Sequence, residues 1–381
     1  MFDFTEAQQA FRREVQRFAR TELAPTAKQR AKQDSISKEL LRKIADAGFL
    51  GIALPEEYGG QGGDWVSVGI AVEELAKVDL SLGLSPLLPA IGYFALERSS
   101  RELLEEWIPP MIRGEKTCGF MVTEPDAGAD MAAIKMAAIR DGECYVLNGE
   151  KTPITCGYFA DAAMTFAKTD PQAGMRGITC FWVPLDLPGI IRTRIPHTGL
   201  KYFAAASVVM DEVRLPLAYR CGDEGKGVYL FGHAVNYQRA CAGLLALAAA
   251  EASLEETINY TLQRTAFGQP IARFEGVSFK IAEHATRLEA ARLLCYRTLY
   301  LGEQGLPHFK EAAMCKWWCP EVAFDAIHDC LLLHGHIGYS EEYPLEQRLR
   351  DILGLEFTDS VAPAMKVIVA RELMGKLAAS Y

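Results

Sequence analysis

Four long apolar-striped segments, at 232–263, 276–304, 307–333 and 362–377, dominate the C-terminal part of the chain. Apolar residues recurring every three or four positions over such lengths do not suit a pleated sheet. They predict a bundle of packed helices. The N-terminal part is helical too, with segments predicted at 11–23, 37–47, 66–76 and 101–112. Ser37 is a good N-cap for the second of these and Gly48 a good stop. The run LPEEYGGQGG at 54–63 breaks the periodicity and reads as a loop. Between the helical parts the texture changes to short β-prone runs at 134–139, 144–147, 163–167, 178–183 and 207–210. Turn chemistry at Asp141-Gly142, Asn148-Gly149 and 171–174 separates them. The expected fold is α+β, with an N-terminal helical domain at 1–118, a middle β domain at 119–222 and a C-terminal helical bundle at 223–381.

At 381 residues the chain can bury more than one core. A net charge of −9 gives no pull toward nucleic acid or an anionic membrane, so an anionic ligand must find local basic residues. The ten cysteines include no CxxC pair and read as reduced thiols, with Cys315 and Cys319 as helix packing. The first twenty residues mix acidic and basic groups, unlike a secretory or transit segment. The low-charge run at 240–250 falls short of the ~20 residues that cross a bilayer. A soluble, cytoplasmic protein without a membrane span is expected. His328, His334 and His336 lack the carboxylate or cysteine spacing of a metal site, so no metal is expected. Trp317-Trp318 reads as helix packing or a subunit contact, and Glu102, Glu105 and Glu106 as a solvated helix face.

Five stretches, in order, resemble the acyl-CoA dehydrogenases: LPEEYGGQG at 54–62, MVTEPDAGAD at 121–130, NGEKTPIT at 148–155, QRTAFGQPI at 263–271 and HGHIGYSEEYPLEQRLRD at 334–351. The resemblance covers nearly the whole chain and implies an acyl-CoA dehydrogenase-like fold, FAD, a CoA thioester substrate, electron-transferring flavoprotein as acceptor, and a homotetramer. It places Met121, Val122 and Thr123 beside the flavin ring, with Ile154 and Thr155 against it. It gives Arg264 and Phe267 to the pyrophosphate and adenosine of an FAD held mainly by a neighbouring subunit. Gly335 and His336 would form a tight turn against that cofactor. An Arg suits a pyrophosphate because its planar fork donates to two oxygens, and a glycine permits close backbone approach.

Taking a proton alpha to a thioester requires a carboxylate near that carbon. The family carries its base as the Glu of a Glu-Gly-Thr segment about eight residues after an Arg-Asp pair. Here the pair is Arg350-Asp351, and the base position falls on Asp359, followed by Ser360 and Val361. Some relatives place the base on a Glu just before an Arg in the bundle's first helix; here that pair is Gln238-Arg239, and Gln cannot take up a proton. Asp359 is thus the only carboxylate at either position. Its reach is one methylene shorter than that of Glu. Pro153 stands where the family generally has a bulky aromatic, and both departures imply a wider substrate, such as cyclohexane-1-carboxyl-CoA. The run SPLLPAIGYF at 85–94 has no acid, which favours 1,2-dehydrogenation over 1,4-elimination. The resemblance puts Ala129, Pro153, Asn236, Arg239 and Ser360 on the substrate side, and Leu332 replaces a cofactor-binding Gln. Three alternatives stand beside this reading: Asp359 as the N-cap of the following helix, a flavin oxidase of the nitroalkane oxidase type, and a non-enzymatic relative that keeps the fold.

Overall fold

The computed structural model describes residues 3–33 and 35–375, with Tyr202 described by its backbone alone. Among the described residues, six α-helices open the chain: α1 (Glu6–Phe18), α2 (Ala27–Arg30), α3 (Lys38–Asp46), α4 (Trp65–Val78), α5 (Leu87–Leu96) and α6 (Arg101–Ile112). Thr5 and Gln8 close a reciprocal capping box on α1, so that helix starts earlier than its apolar stripe predicts. Ser37 accepts from the Leu40 N–H at 3.1 Å, and Gly48 ends the helix region with φ +86°, as the sequence predicts. Helix α5 escapes a periodicity argument because it is buried on nearly every side and has no polar face. Glu102, Glu105 and Glu106 are exposed on α6.

The middle of the chain supplies β1 (Cys118–Met121), β2 (Ala137–Asp141), β3 (Cys144–Ile154), β4 (Ala162–Lys168), β5 (Ile178–Pro184), β6 (Ile190–Arg194), β7 (Ala206–Pro216) and β8 (Arg220–Cys221). They form one eight-stranded sheet in the order β6-β7-β3-β2-β4-β5-β8, with β1 parallel to β4. Asn148-Gly149 is not a turn, contrary to expectation. It lies inside β3 at a register shift against β7, where the Asn148 side chain bonds the backbone and side chain of Glu212. A Cβ on Gly149 would come within 2.9 Å of the Met136 backbone, so the glycine serves close packing rather than chain reversal. One core lies within the sheet, around Met121, Tyr145, Leu147, Phe181 and Val208. A larger one joins the sheet's other face to the helices.

After the hairpin β9 (Thr265–Ala266) and β10 (Gln269–Pro270), the bundle is built from α7 (Gly227–Gln263), which precedes that hairpin, then α8 (Glu275–Glu303), α9 (Phe309–His334), α10 (Leu345–Phe357) and α11 (Ala362–Met374). The segment predicted at 362–377 ends in residues that lie outside the described range. Helix α7 is buried continuously from Arg239 to Ala250, packed by α4, α8 and α9, and its small residues let those helices approach closely. Cys295, Cys315 and Cys319 are fully buried against it, in keeping with a packing role. Helix α10 is not evident from periodicity, because only Leu345, Asp351, Ile352 and Leu355 of it are buried. Among the described residues no helix is long and apolar enough to cross a membrane.

Candidate functional site

The chain between α10 and α11 carries Asp359 and Ser360, with φ of +56° and +93°. Left-handed backbone at two successive non-glycine residues costs on the order of 1–3 kcal/mol each, so the surrounding structure must hold the turn. Helix α9 does this through Lys316, whose buried Nζ donates to the Leu355 carbonyl at 2.8 Å and the Glu356 carbonyl at 3.4 Å, near the end of α10. Val361, not Asp359, occupies the N-cap of α11, and no side chain caps that helix. The N-cap reading of Asp359 is therefore corrected. The carboxylate turns instead toward α7, where Gln238 Nε2 donates to its Oδ1 at 2.6 Å.

Burial raises the Asp359 pKa above the ordinary carboxylate value, and the charges of Lys316 and Arg239 and the Gln238 bond offset this only in part. Burial likewise pulls Lys316 down to about 8 and lowers Arg239. Arg239 is 4% exposed, and its Nε and Nη1 have no hydrogen-bond partner among the described residues. The Asn236 Oδ1 and Gln238 Oε1 atoms are also buried and unpartnered. Buried polar atoms are nearly always satisfied, so such a concentration marks a place built to meet a ligand. Phe309 lies 5.9 Å from the Arg239 guanidinium, and Tyr237 stacks on Trp65 with ring centres 4.3 Å apart.

A second group of candidates meets at the ends of β1 and β3. Met121 and Ile154 are buried, Val122 and Thr123 partly so, and Pro153 and Thr155 are exposed. The Thr152 N–H donates to the Thr123 carbonyl at 2.8 Å, which joins the two segments. Beneath them the fully buried Lys151 donates to the Val122 carbonyl and to Glu124 Oε1, both at 2.8 Å. Glu124 also accepts from the Lys135 and Met136 backbone N–H groups. Burial depresses the Lys151 pKa to about 8 against the pull of Glu124. This pair fixes the Met121–Thr123 backbone from behind. Ala129 is exposed on the loop that follows.

A third group lines a cleft of about 410 Å³ in the bundle: Arg264, Leu332, Gly335 and His336, with Tyr260 and His334. Tyr260 stacks on His334 at 4.2 Å between ring centres, and His334 Nδ1 is tied to the Cys330 carbonyl at 2.9 Å. Phe267 sits at the tip of the β9–β10 hairpin, 95% exposed and outside the cleft lining. No residue of the Met121–Thr155 group lines this cleft. Arg264 is exposed and has no ion pair among the described residues, and a Cβ built on Gly335 meets nothing within 4 Å. A free guanidinium beside an open backbone turn fits the pyrophosphate of a dinucleotide.

Sequence reasoning missed Lys316, although a lone Lys in the apolar stripe AAMCKWWC is a visible signal. It also set Gln238 aside as merely unable to act as a base. The arrangement is a half-buried carboxylate beside buried polar atoms without partners among the described residues, with a separate cleft lined by Arg264 and Gly335.

The chain belongs to the acyl-CoA dehydrogenase family: the family's N-terminal domain model matches residues 5–115, its middle domain 119–213 and its C-terminal domain 225–374. An acyl-CoA dehydrogenase of Bacillus subtilis is 35% identical over 97% of this chain and 99% of its own length. The caffeyl-CoA reductase-Etf complex subunit CarC of Acetobacterium woodii is 32% identical over 98% of this chain and 100% of its own. The solved structure of PigA with FAD and proline superposes with a TM-score of 0.95 at 27% identity, covering 99% of this chain and 100% of that one. The chain is an oxidoreductase that dehydrogenates the CH–CH group of an acyl-CoA, with FAD as its cofactor.

Proposed function

We propose that the substrate is an alicyclic acyl-CoA, such as cyclohexane-1-carboxyl-CoA going to cyclohex-1-ene-1-carboxyl-CoA, and that Asp359 removes the α-proton. The observation that carries this reading is the Asp359 carboxylate itself, held at 2.6 Å by Gln238 among buried groups that lack partners. Bound FAD supplies acceptance of the β-hydride. Asp359 supplies a base whose burial keeps it avid for a proton, while Lys316 and Arg239 keep its ionised form accessible. Its short side chain withdraws the carboxylate from the substrate space and leaves room for a ring. A neighbouring fold that holds proline, itself a saturated ring, is in keeping with that room.

Arg239, Asn236 and Ser360 would face the substrate from the bundle, Pro153 from β3 and Ala129 from the loop after β1. Met121, Val122, Thr123, Ile154 and Thr155 would hold the flavin ring. Arg264, Phe267, Gly335 and His336 would hold the dinucleotide of a neighbouring subunit's cofactor. That division supports a homotetramer, as do the exposed apolar side chains Phe267, Phe279, Leu332 and Tyr339 on the same third of the chain. We set the domain limits at 1–118, 119–222 and 223–381, a division that matched segments at 5–115, 119–213 and 225–374 support. We place the protein in the cytoplasm, passing electrons to an electron-transferring flavoprotein, a partner that the name of the Acetobacterium relative supports.

The test is an anaerobic absorbance titration of the flavin with ring, straight-chain and branched acyl-CoAs, with Asp359→Asn as control. Bleaching by the ring thioester alone, lost in the control, is expected. Bleaching by straight chains sinks the ring specificity and leaves the enzyme class intact. Oxygen consumption without CoA dependence points to an oxidase, and failure to bind flavin points to a binding role.

A further inference from the structure

We propose that Gln238 is a positioning residue for Asp359: it occupies Oδ1, so that the substrate proton is received on Oδ2. The inference rests on Asp359 being the base. Two elements 121 positions apart in sequence meet in this contact, one a long helix fixed by packing on several sides and the other a turn with two left-handed residues. A rigid donor is what such a turn requires, because the carboxylate's own backbone gives it little help. The amide has only one useful orientation. An ionised carboxylate only accepts hydrogen bonds, so the NH₂ side must face Asp359 and Oε1 is turned away, buried and without a partner. A contact made for stability alone has no reason to strand a buried acceptor.

Every charged group facing Asp359 acts in the same sense. Lys316 approaches from α9 and Arg239 from α7, while Glu356, on the same segment as Asp359, lies against Lys316. Neither cation is within hydrogen-bonding distance of the carboxylate, so they favour its ionised form without orienting it. Gln238 supplies orientation. Being uncharged, it does so at every pH and adds no second acid to compete for the proton. Removing its N–H raises the affinity of Asp359 for a proton, so a pH profile reads its role directly.

The experiment is exchange of the α-protons of acetyl-CoA with solvent deuterium, catalysed by the holoenzyme and followed by mass spectrometry across pH. Acetyl-CoA has no β-carbon and cannot be dehydrogenated, so exchange reports proton abstraction alone. Exchange rises with pH as the base ionises. In Gln238→Met the midpoint of that rise is expected to move up by about one pH unit, the size of one hydrogen bond to a charged group. In Gln238→Asn, whose amide is one methylene too short to reach Oδ1, it is expected to move in the same direction. An unmoved midpoint in Gln238→Met overturns the proposal. If that variant does not fold, an unmoved midpoint in Gln238→Asn does so instead. Exchange that persists in Asp359→Asn overturns the base assignment itself, a different failure. Loss of exchange in Asp359→Asn with an unmoved midpoint in the Gln238 variants leaves the base standing and removes only the role of Gln238.

Discussion

Two clusters of buried charge lie along α7, and they are built on opposite plans. Toward its C-terminal half, Glu251 pairs with Lys77 at 2.9 Å, and next to them Glu73 is bound by Arg292 and by the Tyr296 hydroxyl. Glu74 is held by Arg12, and the Arg292 and Arg12 guanidiniums lie 5.6 and 5.8 Å from the Phe4 ring. No side chain of this cluster is left with a buried polar atom lacking a partner. Toward the N-terminal half, Asn236, Gln238 and Arg239 all keep such atoms. Burial pushes the pKa of both Glu73 and Asp359 upward. At Glu73 the Arg292 bonds and charge more than offset it and the pKa falls; at Asp359 the offset is incomplete and it stays raised. A saturated cluster locks helices together, and an unsaturated one waits for a ligand.

Four substitutions would break or sharpen that contrast. The largest effect is expected from Asp359→Asn, which should slow flavin reduction by roughly 10²–10⁴-fold, the usual worth of a positioned base. Its melting temperature should not fall, because burial penalises the charge that the substitution removes; a marked loss of stability would place Asp359 with the structural cluster. Glu73→Gln should do the reverse. It strands the Arg292 charge and should cost about 3–5 kcal/mol in denaturant unfolding, with flavin reduction per folded molecule unchanged.

Asp351 is an intermediate case. It is buried, accepts from the Leu200 N–H at 2.7 Å, and has a pKa raised to about 6, chiefly by burial. A carboxyl raised in the fold contributes stability that is fully present below its ordinary value and is lost as pH rises through about 6. The shift of about two units corresponds to up to roughly 3 kcal/mol across that window. Asp351→Asn should flatten the pH dependence of unfolding between pH ~4 and ~6 by up to that amount, and an unchanged slope would refute the assignment. The smallest effect is expected from Lys316→Met. Losing a cation that favours ionised Asp359 should move the acid limb of flavin reduction up by about one pH unit or less, read by stopped-flow absorbance. No movement would mean that Lys316 serves only the α10 carbonyls.

Much of this was legible in the sequence where the determinants are local. Ser37 and Gly48 announce their helix ends because capping is settled within a few residues. Asn148-Gly149 misled for the same reason: the pair carries the composition of a turn, and only its register against β7 and its closeness to Met136 turn it into a bulge. Helix α5 and the short strands β1 and β6 were hidden, the helix because it is apolar on nearly all sides and the strands because four or five residues carry little pattern. Counting from Arg350-Asp351 puts the base at Asp359, and the structure sets it beside Gln238, which cannot itself take up a proton, and near Arg239.

By itself the sequence determined the order of helical, sheet and helical parts, the family and the position of the candidate base, since periodicity, caps and motif spacing are written along the chain. Only the tertiary structure decided that Gln238 meets Asp359, that Lys316 braces the turn from α9, and which buried atoms stay unpaired. Those contacts join residues up to 121 positions apart. A non-local contact leaves no period in the sequence, and it exists only once packing has fixed both partners in place.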